Sequence, residues 1–390
     1  MASTATPAPV SDAIFDAVVD RRGTGSEKWE AYAGSDILPL WVADMDFQAP
    51  AAVLDALHAH VSHGVFGYAR PTQALIDTAL DVVQREHQLT VDADALVWLP
   101  GLVSGLHAAC AAVGEPGSGV AVMTPSYPPF LLAPSRVGRR CIRVPLASQS
   151  GEIDFDALEA ALRDPANGCR LLMLCNPHNP TGRVYDAETL SRLCVLCEQH
   201  DLIMVSDEIH AGLILDPGLQ HTAIAALDPA LARRSITLIA PSKTYNIAGL
   251  GCALAIIPDP ALRAAYRKAA QGLVPGVNAL GYTAALAAWR DGEPWRQALL
   301  RYLRSNRDLV VQAVAAHPGL QMVTPQATYL AWIDASGLGV SSPQEAFEAA
   351  GLGTSDGTAF AGSGHVRLNF GCPQATLHEA LRRLATVGSA

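Results

Sequence analysis

Leu238–Gly251 reads LIAPSKTYNIAGLG: an apolar run stopped by a proline, then a serine and a lysine, then a turn of small residues. A short apolar run bounded by Pro and Gly is the pattern of a buried strand and its exit turn, which puts Lys243 at a strand end. Two readings of Lys243 stand side by side. It is a solvated lysine after a strand, or an amine in a cleft. In a cleft, burial or a nearby positive charge lowers its pKa and readies it to form a Schiff base with an aldehyde.

The surrounding chain supplies the context. Apolar runs at 95–99 (ALVWL), 119–125 (GVAVMTP), 170–175 (RLLMLC), 202–206 (LIMVS), 235–240 (SITLIA) and 252–258 (CALAIIP) recur along the chain. Helical patterns lie among them at 105–113, from Pro129, at 186–200 and at 260–271. Strands alternating with helices predict right-handed crossovers and a mostly parallel sheet covered on both faces. This large domain is expected over residues 51–285. After it, a long helical stretch from 280 to 317 precedes strand patterns TYLAWIDA (328–335) and GHVRLNF (364–370) and a last helix from 376. That mixture predicts a smaller α+β domain over 286–390, joined by an N-terminal segment of residues 1–50.

The chain has 390 residues, 50% of them hydrophobic and 16% charged, which excludes a disordered protein and predicts two packed domains. A net charge of −10 argues against nucleic acid as a partner. The short basic stretches DRRGTGSEK (20–28) and SRVGRRCIR (135–143) read as solvated arginines. Of eight cysteines only Cys194 and Cys197 form a C-x-x-C, with no second pair to complete a zinc site, so they read as core thiols of one helix. The first twelve residues lack the basic start and apolar stretch of a signal peptide and read as a floppy lead-in. With no run of membrane-spanning length, a cytoplasmic protein with reduced thiols and no membrane partner is expected.

Open parallel sheets bind ligands at the carboxyl ends of their strands. Three ends carry polar groups. After RLLMLC, the turn NPHNPTG fixes the backbone with two prolines and aims Asn179. After LIMVS comes Asp207-Glu208-Ile209-His210. A nucleotide-hydrolase strand also ends in acidic residues, but the phosphate loop G-x-x-x-x-G-K-[ST] it requires is absent. Asp207 is then either a helix cap or a carboxylate for a protonated ring nitrogen. The third end carries Lys243. Upstream, LPGLVSGLHAAC opens a helix whose free amides suit a phosphate. Arg367 shares a strand face with His365 and Asn369, suited to a carboxylate clamp, though by itself the strand reads as a solvated edge. A phosphate cradle, a directed Asn, a carboxylate, an aldehyde-binding lysine and a carboxylate clamp together describe pyridoxal 5′-phosphate with an amino-acid substrate.

At this point the sequence resembles the fold-type I pyridoxal-phosphate enzymes of the class I/II aminotransferase superfamily, through NPHNPTGRVY, VSDEIHAGL and APSKTYNIAGLG. More narrowly, LPLWVADMDF, HGVFGYARP, DEIH and HVRLNFGCP resemble the MalY/PatB-type C–S β-lyases, or cystathionine β-lyases. The resemblance implies an α/β, aspartate-aminotransferase-like fold with a mostly parallel sheet in the cofactor domain. It implies that Lys243 holds the cofactor covalently and moves protons, and that Asp207 pairs with the ring nitrogen. Asn179, with His210, would bond the 3′ oxygen and Tyr127 would stack on the ring. The backbone of Leu102 and Val103 and the Ser242 hydroxyl would hold the phosphate. Tyr68 would reach that phosphate from a second subunit, making the working unit a homodimer. Arg367 would bind the substrate carboxylate beside the backbone of Ala43, with Asn179 and Tyr68 also bordering the substrate. Lys243, Asp207 and Tyr127 are the catalytic residues so implied.

Two departures from many aminotransferases stand out: Ala240-Pro241-Ser242-Lys243 replaces S-x-S-K, and Gly251 stands where an arginine follows the AGL turn. Both fit the lyases. The implied reaction is β-elimination: Lys243 removes the Cα proton, electrons spread into the protonated ring, and the C–S bond breaks. A thiol leaves, and aminoacrylate hydrolyses to pyruvate and ammonia. An aminotransferase shares the early steps, and a regulatory or binding protein on the same scaffold is the reading from another class.

Overall fold

The structure, a computed structural model, describes residues 10–147 and 150–388. Most of the lead-in, residues 1–9, therefore lies outside the described residues. The large sheet has eight strands: β1 (Leu96–Leu99), β2 (Gly119–Thr124), β3 (Arg140–Ala147), β4 (Glu152–Ile153), β5 (Cys169–Cys175), β6 (Ile203–Asp207), β7 (Ser235–Ile239) and β8 (Ala253–Ile256). Their order is β1-β8-β7-β6-β5-β2-β3-β4. Neighbours from β3 through β7 pair in parallel, β8 runs antiparallel between β1 and β7, and β4 is an antiparallel edge.

The central strands are apolar throughout because both faces are covered. Along β5 the side chains alternate: Leu171, Met173 and Cys175 enter one layer with Leu106, Ala109 and Tyr266, while Leu172 and Leu174 enter the other with Leu158, Leu190 and Leu193. Cys194 and Cys197 are buried in that second layer on helix Ala187–Gln199, as thiols of the core. The six apolar runs expected as strands all are strands. The seventh long one, β3, escaped the pattern because Arg140 and Arg143 break its apolar run.

Several expectations need correction. Arg139 is not solvated. It is buried, and its guanidinium donates to the carbonyls of Cys110, Val113 and Gly114, the unpaired acceptors at the C-terminus of helix Leu102–Ala112. In the other basic stretch Lys28 is wholly buried and ion-paired with Asp46 at 2.7 Å, and Arg21 bridges Asp44 and Asp46, each at 2.7 Å. The stretch from 280 to 317 is two helices, Ala279–Asp291 and Glu293–Ala316, broken at Gly292. A division at 285 thus falls inside a continuous helix that runs between Asn278 and Gly292.

A second sheet contains β9 (Gln321–Met322), β10 (Leu330–Asp334), β11 (Ser355–Asp356) and β12 (His365–Asn369) in the order β9-β10-β12-β11, antiparallel throughout. Strand β12 is therefore interior, not the solvated edge its alternation suggested, and Arg367 is 4% exposed. Leu38–Pro39 pairs in parallel with Leu352–Gly353, tying the N-terminal segment beside this sheet. Among the described residues no helix is long and apolar enough to cross a membrane.

Arg139→Ala leaves buried helix-end carbonyls without donors, so it should destabilise the fold by about 1–3 kcal/mol. Urea unfolding reads this directly; an unchanged midpoint would mean that water replaces the guanidinium.

Candidate active site

The carboxyl ends of β1, β2, β5, β6 and β7 converge on one cavity of about 280 Å³. Its lining includes Ala43, Leu102, Val103, Tyr127, Asn179, Asp207, His210, Ser242 and Lys243, all singled out from the sequence. The helix opened by Leu102 has no side-chain cap at Gly101, so its first amides face the cavity unpaired. Gly105, one turn in, lets this helix sit against the sheet: a Cβ there would lie 3.0 Å from Leu99 Cδ1. Ser104 joins the lining one residue beyond the pair named from the sequence.

Lys243 Nζ donates to the carbonyl of Ala43 at 2.7 Å, and the Tyr329 hydroxyl donates to the same oxygen at 2.8 Å. Burial first, then the charge of Arg367, pulls the Lys243 amine down to about 8, while Asp44 and Asp207 oppose the shift. Asp207 accepts from the amide of Ile209 at 3.1 Å, closing a local turn rather than capping a helix, since the short helix that follows begins after His210, and the side chain still borders the cavity. Burial pushes its carboxyl up to about 7, with the Glu208 charge adding to the rise and the Ile209 amide and Lys243 opposing it. His210 is buried, its Nδ1 has no partner, and burial, with Lys243 and Arg367, holds the ring neutral at a pKa of about 3.

Arg367 completes the site from β12. It donates to Asn179 Oδ1 at 3.1 Å, to the carbonyl of Trp41 at 2.9 Å and to Ser355 Oγ at 3.3 Å, and its Cζ lies 4.7 Å from the Phe360 ring centroid. All of these partners are uncharged, and its Nε has none. A buried guanidinium satisfied only by neutral groups is a site for an anion, and its fork suits a carboxylate. Burial pulls even this group down, to about 10.

The sequence pointed to Ala43 but not to the side chains that hold its segment in place. Asn369 Nδ2 donates to the carbonyls of Val42 (2.7 Å) and Asp44 (2.6 Å), and Asn246, three residues past the lysine, bonds both the amide and carbonyl of Met45 at 2.8 Å. Asn246 has φ +54°, the left-handed conformation that asparagine tolerates. These side chains strap residues 42–46 to the lysine turn and to β12 together. The only local signal was the motif WVADMDF itself. Cys175, beside Asp207 in the β5–β6 register, also lines the cavity unannounced.

Two implied residues are not in the cavity lining: Arg367 reaches it through its bond to Asn179, and Tyr68 stands fully exposed between helices Ala51–His63 and Gln73–His87. Gly251 has φ +57°, and a Cβ there would lie 2.8 Å from the carbonyl of Pro100, so the turn after the lysine packs against the strand end that precedes the phosphate-type helix. An arginine at this position would meet that carbonyl.

The residues fit pyridoxal 5′-phosphate: free helix amides and Ser242 for the phosphate, Asp207 for the ring nitrogen, unpaired His210 and Asn179 for the ring oxygen, and a depressed lysine for the aldehyde.

Known proteins are similar to this chain along nearly its whole length. The family Aminotransferase class I and II matches residues 35–384. Cystathionine beta-lyase PatB of Bacillus subtilis (strain 168) is 40% identical over 384 residues, covering 95% of this chain and 98% of that protein. The crystal structure of OvoB superposes with a TM-score of 0.93 at 46% identity, covering 96% of this chain and 99% of its own. Cystalysin from Treponema denticola, whose crystal structure contains pyridoxal 5′-phosphate, gives a TM-score of 0.89 at 31% identity over 96% of this chain and 98% of its own.

With few lysines in the chain, Lys243 can be followed by mass mapping of acylation in cofactor-free protein. Its labelling should rise with pH through a midpoint near 8, because only the neutral amine reacts. Arg367→Met removes a positive neighbour and should move that midpoint upward; a downward or absent shift would contradict the electrostatics described above.

Proposed function

We propose, from the premise that this chain belongs to the class I and II aminotransferase family, that it is a pyridoxal-phosphate-dependent carbon–sulfur β-lyase. Its substrates are cystathionine or related cysteine S-conjugates, and the products are a thiol, pyruvate and ammonia. The observation that carries this reading is a depressed lysine in the cavity and, close enough to act on its charge and bonded to Asn179 of the lining, a buried arginine whose partners are all neutral. The lyase outcome is supported by PatB among the relatives and by Gly251, whose close approach to Pro100 leaves no place for the arginine of many transaminases.

Bound pyridoxal phosphate supplies an electron sink for the electrons of the broken Cα–H bond. The chain's residues do the rest. Arg367 grips the substrate α-carboxylate beside the Ala43 backbone and so fixes Cα over the lysine. Lys243, neutral in part near pH 7, takes the Cα proton. Asp207 holds a proton on the ring nitrogen, and Asn179 and His210 hold the ring oxygen. Tyr127 packs on the ring face, while Leu102, Val103 and Ser242 hold the phosphate. Elimination consumes one water and leaves the sulfur with its electron pair, so RS–CH₂–CH(NH₃⁺)–COO⁻ and H₂O give RSH, pyruvate and NH₄⁺.

The working unit in this reading is a homodimer in which Tyr68 enters the partner's cavity. Support comes from the outward display of Val61, Val65, Phe66 and Tyr68 in one short segment, an apolar surface that a monomer would leave wet. The chain is divided as residues 1–50, 51–291 and 292–390, the last cut moved to Gly292. The eight reduced thiols suit the cytoplasm.

In a single turnover with L-cystathionine the purified holoenzyme should release pyruvate and thiol in equal amounts. Conversion of the cofactor to its amine form without thiol release would assign a transaminase instead. Lys243→Ala should lower turnover by at least about a thousandfold, and normal turnover would sink the assignment. Co-expressed Lys243→Ala and Tyr68→Ala chains should regain about a quarter of wild-type activity, through hybrid dimers with one intact site. No recovery would mean that Tyr68 acts within its own subunit, and full activity of Tyr68→Ala alone would mean that it does not act at all.

A further inference from the structure

Directly behind Asp207 lies a buried cluster that the proposed reaction does not use. Glu208 is wholly buried, and its Oε2 meets His87 Nδ1 at 2.6 Å and His221 Nε2 at 2.7 Å, while Ser206 Oγ donates to its Oε1 at 2.8 Å. His87 ends helix Gln73–His87, and His221 comes from the loop before helix Ile224–Leu227, so three separate segments meet on one carboxylate. The two rings stand nearly perpendicular, 5.3 Å apart, each addressing the same oxygen.

These are hydrogen-bond lengths. A tetrahedral metal about 2.0–2.1 Å from each ligand would hold the ligand atoms farther apart. His221 Nδ1 also has no acceptor, although metal-bound histidines usually donate through their second nitrogen. Three donors on one carboxylate favour its ionised form. Burial alone would raise the Glu208 carboxyl, but the charges and hydrogen bonds of His221 and His87 outweigh it and bring it down to about 2.

Successive residues of an extended strand face opposite sides. Asp207 therefore borders the cavity while Glu208 is turned the other way, one residue apart. Facing Asp207 are Lys243 and the Ile209 amide, with Cys175 and Tyr127 close enough to feel its charge; facing Glu208 are only the two histidines and Ser206.

We propose that Glu208, held anionic by His87, His221 and Ser206, is a positioning residue for Asp207: its fixed negative charge makes Asp207 a stronger base, which tightens the proton on the cofactor's ring nitrogen. This rests on the reading of Asp207 given above. The cluster also pins the backbone at the end of β6, so charge and placement come from the same three side chains.

The test uses holoenzyme loaded with pyridoxal phosphate carrying ¹⁵N in the ring, with the ring-nitrogen resonance followed across pH. In the wild type the pyridinium signal should persist through neutrality. Glu208→Gln keeps the size and an acceptor but removes the charge. It should lower the proton affinity of the ring nitrogen by about tenfold, moving the pH midpoint down by about one unit. Asp207→Asn should shift the signal toward neutral pyridine at every pH.

An unchanged resonance in Glu208→Gln beside a shifted one in Asp207→Asn would make the cluster purely structural and overturn the proposal. A wild-type signal in Asp207→Asn would instead overturn the reading of Asp207 beneath it. Should Glu208→Gln fail to fold, Glu208→Met, which removes the charge at similar size, takes its place, with the same downward shift expected and none refuting the proposal. Stoichiometric zinc in the purified protein, lost in the variants, would make the cluster a metal centre and also refute it.

Discussion

The site depends on keeping two basic side chains, Lys243 and Arg367, close enough for the charge of one to act on the other. Each lowers the proton affinity of the lysine, one through its own burial and the other through its charge, and Arg367 itself is pulled down by burial. Taking a guanidinium out of water costs several kcal/mol unless it is well bonded. The chain supplies Asn179, Trp41 and Ser355 as acceptors without supplying a carboxylate. The electrostatic demand is thus only partly met within the chain, which leaves the guanidinium fork suited to an anion. The charge of Arg367 and the activation of the lysine are linked: neutralising Arg367 removes part of what lowers the proton affinity of Lys243.

That arrangement needs two sheets to be held in register. The strap formed by residues 42–46 does this through side-chain amides rather than through strand pairing. Asn369 grips it from β12, and Asn246 grips it from the turn after Lys243. Lys28 and Arg21 fasten its two aspartates from outside. The Ala43 carbonyl, which accepts from both Lys243 and Tyr329, is in this way located by contacts with both parts of the chain.

What could be read in the sequence follows from what is local. Apolar runs that end in Asn-Pro, Asp-Glu or Pro-Ser-Lys announce strand ends, and parallel strands put such ends together, so the cavity lining was largely legible. Arg367 was legible as a residue but not as a buried one, because its burial depends on β10 and β11 flanking β12. Strand β3 hid behind its arginines. Arg139 was misjudged because the carbonyls it satisfies end a helix more than twenty residues upstream. Asn246 and Asn369 gave no sign, since an asparagine that bonds a distant backbone looks like any other in the sequence. Tyr68 is the opposite case: its motif was plain, yet a single chain leaves it in solvent.

The chain contains only three lysines, against many arginines. Lys28 is sealed in its ion pair with Asp46, and Lys268 lies exposed on a helix. Reactive aldehydes condense with any neutral amine they meet, whereas a guanidinium stays protonated and inert toward them. A protein that carries its surface charge on arginine and keeps its amines scarce therefore offers an aldehyde cofactor few wrong addresses. If the cofactor sits on Lys243 as proposed, selectivity would come from the poverty of competitors as much as from the shape of the cavity.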